Sequence, residues 1–155
     1  MATEPFFQSE IPFNTSRIGA AAIYCSDGRY GDQMDDLLHL GCGWPRYDRL
    51  ALPGGPASLS AHLSVFWEES TLRKYLEFLV RTHDLTRLAL IQHEDCGFYR
   101  EWLRIPGDQI EDHQRADLVT ARRRILKYLP GLEVFTFFAC KQDDRVKFLS
   151  LNQDS

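Results

Sequence analysis

The chain has no apolar run approaching the roughly 20 residues that cross a bilayer, so no membrane-spanning helix is expected. It has no cationic surplus either: 18 Lys and Arg stand against 22 Asp and Glu, a formal charge of −4. A protein so balanced has little with which to neutralise a phosphate backbone, and nucleic acid is not an expected partner. The one basic run, Arg122-Arg123-Arg124, falls in a helical pattern and reads as a solvated face. Met1 to Phe13 carries acidic residues and no basic ones ahead of an apolar stretch, which is not the layout of a secretory leader. The expected setting is therefore cytoplasmic and reducing. There, Cys25, Cys42, Cys96 and Cys140 read as ligands or buried thiols rather than a disulfide framework. No CxxC motif is present, which argues against dithiol redox chemistry. No internal repeat and no low-complexity linker divides the chain.

What is present suits one soluble domain. The 155 residues are enough to bury a core without staples, and 44% hydrophobic with 26% charged residues is ordinary globular composition. Residues 1–17 read as an arm whose Phe6, Phe7 and Phe13 pack somewhere, a second subunit included. Residues 18–155 read as a single α/β domain. Ile18 to Tyr24 is a short continuous apolar run, the mark of a strand buried on both faces. A short helix is expected over Asp35 to Leu40, and a second strand over Arg49 to Leu52, stopped by Pro53-Gly54-Gly55-Pro56. A long helix is expected from Ser60 to about Thr82, with Val65, Leu72, Leu76 and Leu79 near one face. A third strand, Arg87 to Gln92, precedes a helix over Ile110 to Tyr128 that Pro130-Gly131 ends. Leu132 to Phe138 reads as a fourth strand, and Asp143-Asp144 as a turn into a last strand, Arg145 to Leu149. Strands alternating with helices imply a mainly parallel sheet flanked by helices, about four parallel strands with an antiparallel strand on one edge.

In such a sheet, ligands bind beyond the carboxyl ends of the strands. Cys25 follows the first strand there, and His93 follows the third, with Cys96 three residues on. Thiolate and imidazole are zinc ligands. HxxC spacing alone also describes a surface histidine near a buried cysteine. Cys25 tips the reading toward a metal, because three ligands at matching strand ends leave one tetrahedral position open, the layout of a catalytic zinc site. In Cys25-Ser26-Asp27-Gly28-Arg29, an acid and a permanent cation sit two residues apart. On an extended loop both point one way and can form a charge-assisted hydrogen bond beside the metal.

The pair of motifs, CSDGR at Cys25 to Arg29 and HEDCG at His93 to Gly97, resembles the signature of the β-class carbonic anhydrases. The likeness extends to the helix after CSDGR, the long helix before the third strand and the ending FFACKQDDRVKFL. The resemblance implies zinc held by Cys25, His93 and Cys96, with Asp27 and Arg29 as the catalytic dyad. It implies reversible hydration of carbon dioxide to bicarbonate by a zinc-bound hydroxide, in a homodimer or higher homo-oligomer. Two thiolates cancel the charge of the ion, so its water should be less acidic than in an all-histidine site. Asp27 then either orients that water, held by Arg29, or itself takes the fourth position in a closed form.

One segment departs from the family. An Arg-Asn-Ala-Gly-like stretch is usual after the second strand, and here Pro53-Gly54-Gly55-Pro56 takes its place. That change keeps open two other readings: hydrolysis of carbonyl sulfide or carbon disulfide on the same scaffold, and a non-catalytic zinc-binding protein. The aromatic segment Gly41 to Tyr47 either narrows an entrance or packs at a dimer interface, and packing is the expected reading. Cys42 and Cys140 read as small buried hydrophobes. His39, His62, His83 and His113 read as surface or structural groups, any one of which is a candidate proton shuttle. Glu94 and Asp95 read as solvated groups or as partners that tune His93.

Overall fold

The structure is a computed structural model that describes residues 3–152. Five strands and three principal helices alternate along the chain: β1 (Ala20–Cys25), α1 (Gly31–Asp36), β2 (Asp48–Leu52), α2 (Phe66–His83), β3 (Arg87–His93), α3 (Ile110–Tyr128), β4 (Glu133–Gln142) and β5 (Arg145–Ser150). The sheet order is β2-β1-β3-β4-β5. The first four strands run parallel and β5 returns antiparallel on one edge, as the sequence pattern predicts. Among the described residues, no helix is long and apolar enough to cross a membrane.

The core lies on both faces of the sheet, which is why the central strands are apolar throughout. All six residues of β1 are buried. Ala21 and Ile23 face one layer with Leu88 and Leu90, packed on Leu72 and Leu76 of α2 and Leu118, Ala121 and Ile125 of α3. Burying each large side chain there contributes about 1.5–3 kcal/mol. Ala20, Ala22, Ala89 and Ala139 face the other layer, where their small size leaves room for Tyr30, Met34, Trp44 and Tyr47. The aromatic segment before β2 therefore packs on its own sheet, with Trp44 edge-on to Phe135 at 5.7 Å. A third, smaller cluster of Cys25, Ala57, Cys96, Tyr99 and Ile110 closes the carboxyl end of β1 and β3.

Several expectations are corrected. The long helix expected from Ser60 begins at Phe66; a 3-10 turn over Gly55–Leu59 and another over Leu63–Val65 precede it. Ala61 between them has φ +66, and His62 is extended, so no helix can run through. Side chains hold this detour: the Ser60 hydroxyl donates to Asp117 O and His62 bonds the Asp117 carboxylate. The helix expected at Asp35 starts earlier, because Asp27 caps a 3-10 turn over Gly28–Tyr30 that leads into α1. Strand β4 runs on to Gln142 because β5 pairs with its far end. The run Arg122-Arg123-Arg124 is not simply solvated: Arg122 donates to Val134 O, and Arg124 is paired with Glu69. Cys42 and Cys140 are partly buried rather than buried. Within the single chain Phe6, Phe7 and Phe13 of the arm are exposed, so they do not pack on their own domain, and polar contacts tie the arm down, with Arg46 donating to Asn14 O and Ser16 O. Residues 1–2 of the expected arm and 153–155 of the expected domain lie outside the described residues.

Candidate metal centre

Parallel strands that end in register bring their last residues together, and here those residues are the candidate ligands. Cys25 is the last residue of β1 and His93 the last of β3, neighbouring strands in the sheet. After His93 the chain reverses at Asp95, whose φ is +53. Cys96 then opens a helical turn, its carbonyl accepting from Tyr99 N and Arg100 N, and its sulfur comes back toward the strand ends. The result is a cluster in which one ligand atom each from Cys25, His93 and Cys96 lie within 4.8 Å of one another. All three residues are buried, and the two sulfurs are 4.0 Å apart.

The protonation chemistry of the cluster fits a cation. His93 Nδ1 lies 2.8 Å from Glu94 O, so Nδ1 carries the hydrogen and donates it to that carbonyl. The lone pair is then on Nε2, which is buried and has no hydrogen-bond partner. A buried, unpartnered acceptor beside two sulfurs is what a metal ligand looks like before the metal is counted. The sulfurs behave as a pair. Cys25 is pushed well below the usual thiol range, first by the hydrogen bond from the Cys96 thiol, then, against the opposing effect of burial, by the nearby His93 imidazole, and last by the Asp27 and Gly54 amides. Cys96 is pushed up by its bond to Cys25 and by burial. Two sulfurs holding one proton become two thiolates when a divalent ion takes its place. The Tyr30 ring packs on the His93 imidazole at 4.4 Å and fixes its plane.

Asp27 and Arg29 meet, though not on the extended loop expected: Arg29 lies in the 3-10 turn over Gly28–Tyr30 that Asp27 caps. Asp27 Oδ1 accepts from Arg29 N at 3.1 Å and Nε at 3.0 Å, and Oδ2 accepts from Nη2 at 2.6 Å. This fork holds the Asp27 carboxyl down to about 2, with the Arg29 hydrogen bond as the largest cause. Asp27 is therefore an anion at any ordinary pH. It is mostly covered while Arg29 is 81% exposed, so the pair stands at the mouth of the cluster. A cleft of about 390 Å³ opens there, lined by Cys25, Asp27, Arg29 and His93 and by Phe98, Glu101 and Trp102. Phe98 and Trp102, stacked at 5.6 Å, form its apolar wall.

The sequence reading missed this apolar wall. Phe98 and Trp102 stand four apart on a turn of helix, and that spacing was the available signal. Glu94 touches His93 through its backbone carbonyl, whereas its carboxylate accepts from Lys141 N at 2.5 Å. His62 and His83 are tied to Asp117 and Asp48, away from the cleft.

Solved structures with a similar fold exist. The β-carbonic anhydrase isoform I of Trichomonas vaginalis superposes with a TM-score of 0.59, at 12% identity, over 92% of this chain and 88% of that one. The β-carbonic anhydrase CafA of Aspergillus fumigatus superposes with a TM-score of 0.51, at 12% identity, over 86% and 76%. The fold is a β-carbonic anhydrase fold. At these identities the likeness speaks for the β-carbonic anhydrase fold alone. By sequence, the chain is 28% identical over 120 residues to an uncharacterized protein of Rickettsia bellii, covering 74% of this chain and 72% of that one. It is 29% identical over 122 residues to an uncharacterized protein of Rickettsia conorii, covering 74% of this chain and 63% of that one. No protein-family profile matches the chain. Within the β-carbonic anhydrase fold, the Cys-His-Cys cluster occupies the strand ends where ligands of parallel sheets bind.

Proposed function

We propose that this chain is a zinc-dependent carbonic anhydrase that interconverts carbon dioxide and bicarbonate in the cytoplasm as a homodimer or larger homo-oligomer. One observation carries the reading: two cysteine sulfurs and an unpartnered imidazole nitrogen converge beside an Asp-Arg fork, at the mouth of an open cleft. Three ligands with an open side are the catalytic rather than the structural layout of zinc. When bound, the ion would supply Lewis acidity that makes water a nucleophile, at a higher pH than in an all-histidine site.

The protein's own residues supply the rest. Asp27 is too acidic to take up a proton and keep it, so its part is to accept a hydrogen bond and aim the nucleophile. Arg29 fixes the carboxylate with its three donors. Phe98 and Trp102 offer an apolar wall suited to an uncharged linear molecule and poor for a hydrated ion. Two thiolates neutralise the ion, so activity is expected to rise toward alkaline pH. The same wall also suits a second, more polarisable molecule of that shape, carbonyl sulfide.

The test is zinc content followed by stopped-flow carbon dioxide hydration across pH. Zinc-loaded wild type should be active, and Asp27→Ala should lose about 10–100-fold while keeping its metal. Arg29→Ala should free the carboxylate and lower activity strongly; near-normal turnover would sink the dyad. A zinc-loaded wild type that is inactive at alkaline pH would remove the anhydrase reading, and carbonyl sulfide would be the next substrate.

A further inference from the structure

Behind the metal centre runs a line of buried polar side chains that neither ligation nor the Asp27–Arg29 fork requires. Gln92, Tyr99 and Gln114 are fully buried and Asp117 nearly so. Polar groups that deep need partners; of these side chains only Gln114 leaves a buried atom, its Oε1, without one, and the hydrogen bonds made admit one direction. The Asp117 carboxylate can only accept. Tyr99, its phenol pushed up by burial, stays protonated and donates to Asp117 Oδ2 at 2.6 Å. The Tyr99 oxygen then has lone pairs to offer, and the amide nitrogen of Gln92 donates to it at 2.9 Å. This orients the Gln92 amide. Its second N–H points to Gly54 O at 3.2 Å, and its oxygen turns toward Gln114. Gln114 in turn donates to the carbonyl of His93 at 2.7 Å.

The destination of this line is the turn that replaces the family's usual segment. Pro53-Gly54-Gly55-Pro56 has no side-chain donors, and its two prolines have no N–H. It is nevertheless pressed against a ligand: a Cβ on Gly55 would lie 2.9 Å from Cys25 N, and one on Gly54 would lie 2.3 Å from the Phe98 ring. The Gly54 carbonyl accepts both from Ala57 N, which closes the turn, and from Gln92. The Gly54 amide faces the Cys25 sulfur.

We infer that Gln92, Tyr99 and Asp117 are positioning residues of the metal centre: Asp117 orients Tyr99, Tyr99 orients the Gln92 amide, and Gln92 clamps the Gly54 turn against Cys25. The side-chain donor that the Pro-Gly-Gly-Pro turn lacks is thus supplied from β3, backed by Tyr99 of the Phe98–Trp102 turn and Asp117 of α3. The inference rests on the metal reading above, and its test separates the two. Outer partners of this kind change metal affinity by about 10–100-fold when removed.

The experiment measures zinc affinity by chelator competition in wild type, Tyr99→Phe, Gln92→Met and the double variant, with circular dichroism to verify folding. Ile125→Val, a core change away from the line, serves as the stability control. Should Tyr99→Phe not fold, Asp117→Asn, which keeps size but removes the fixed acceptor, replaces it. Each single variant should weaken zinc about tenfold or more, Ile125→Val should not, and the double should be no weaker than Gln92→Met alone. The cobalt-substituted single variants should show the thiolate charge-transfer band at longer wavelength, since Cys25 loses the Gly54 amide. Wild-type affinity in the folded single variants, or losses that simply multiply in the double, would overturn the inference and leave the metal site standing. A wild type that binds no zinc, or a Cys25→Ser variant that binds as well as wild type, would overturn both.

Discussion

Replacing Gly55 by alanine asks how tightly the Pro-Gly-Gly-Pro turn is held against the ligand strand. Gly55 has φ +52, a left-handed conformation that costs an L side chain about 1–2 kcal/mol. Its new Cβ would also sit 2.9 Å from both Cys25 N and Tyr24 C, and 3.1 Å from Tyr24 Cα. Those atoms are backbone of β1, which pairs with β2 on one side and β3 on the other and cannot retreat. Overpacking of that kind adds about 1–3 kcal/mol. Gly55→Ala is therefore expected to lose about 2–5 kcal/mol. Two other glycines isolate the parts. Gly43 has φ +69 but open space around it, so Gly43→Ala carries the conformational cost alone, about 1–2 kcal/mol. Gly107 has neither constraint, and Gly107→Ala should be neutral or stabilising by up to about 1 kcal/mol. Urea unfolding gives the three midpoints at constant slope. For a chain of this size each kcal/mol is about 2–4 °C of melting temperature, so thermal scans give the same order. Zinc affinity should fall in Gly55→Ala and hold in Gly43→Ala, since only the former pushes on Cys25. If Gly55→Ala were no worse than Gly43→Ala to within about 0.5 kcal/mol, the close approach would be refuted and the clamp argument with it.

Two further outcomes are expected. Zinc at 100 times its dissociation constant should stabilise the fold by about 2.7 kcal/mol, seen as a higher melting temperature that chelation removes; His93→Ala should abolish this shift and Cys140→Ala should leave it. The Asp117 carboxylate raises the His62 pKa above its ordinary value, so its stabilising contribution is full below the unfolded pKa of about 6.5 and is lost as pH rises through the folded value. Urea midpoints should therefore fall over that window in wild type, an NMR titration of His62 should show the raised pKa, and Asp117→Asn should flatten both; an unshifted His62 titration would refute the pairing.

The legible part of this protein was the part whose residue types are scarce and whose positions repeat a rule. Apolar runs marked β1 and β3, and a parallel sheet needs no other signal for its centre. The candidate ligands stood out because cysteine and histidine fell at the ends of those runs. Asp27 and Arg29 stood out because their spacing suits a fork. Helix α3 was legible to the residue, since its apolar face is regular and Pro130-Gly131 stops it. The start of α2 was not, because Ser60 to Val65 has unremarkable helical composition. What unwinds it is Asp117, far along the chain, drawing in Ser60 and His62.

The same distance explains why the clamp went unread. Gln92 ends an apolar strand and passes for a boundary residue. Gln114 and Asp117 lie three apart on α3, on the face that also carries Ile110, Leu118, Ala121 and Ile125. Polar residues on a buried helical face have to be satisfied by something, and that was a usable signal. It says that a partner exists without saying which. Tyr99 becomes the partner only because the chain reverses at Asp95 and carries it back under the strand ends. Ligands can be read from chemistry at strand ends, because topology alone assembles them. The groups that hold ligands in place are of common types, and only their burial and the direction of their hydrogen bonds give them a role. The Pro-Gly-Gly-Pro turn shows the consequence. By sequence it is a loss of donors, whereas in the fold a glutamine from β3, on the far side of β1, takes over the holding. A departure from a family's motif is therefore weak evidence against function until the side chains that pack on it have been traced.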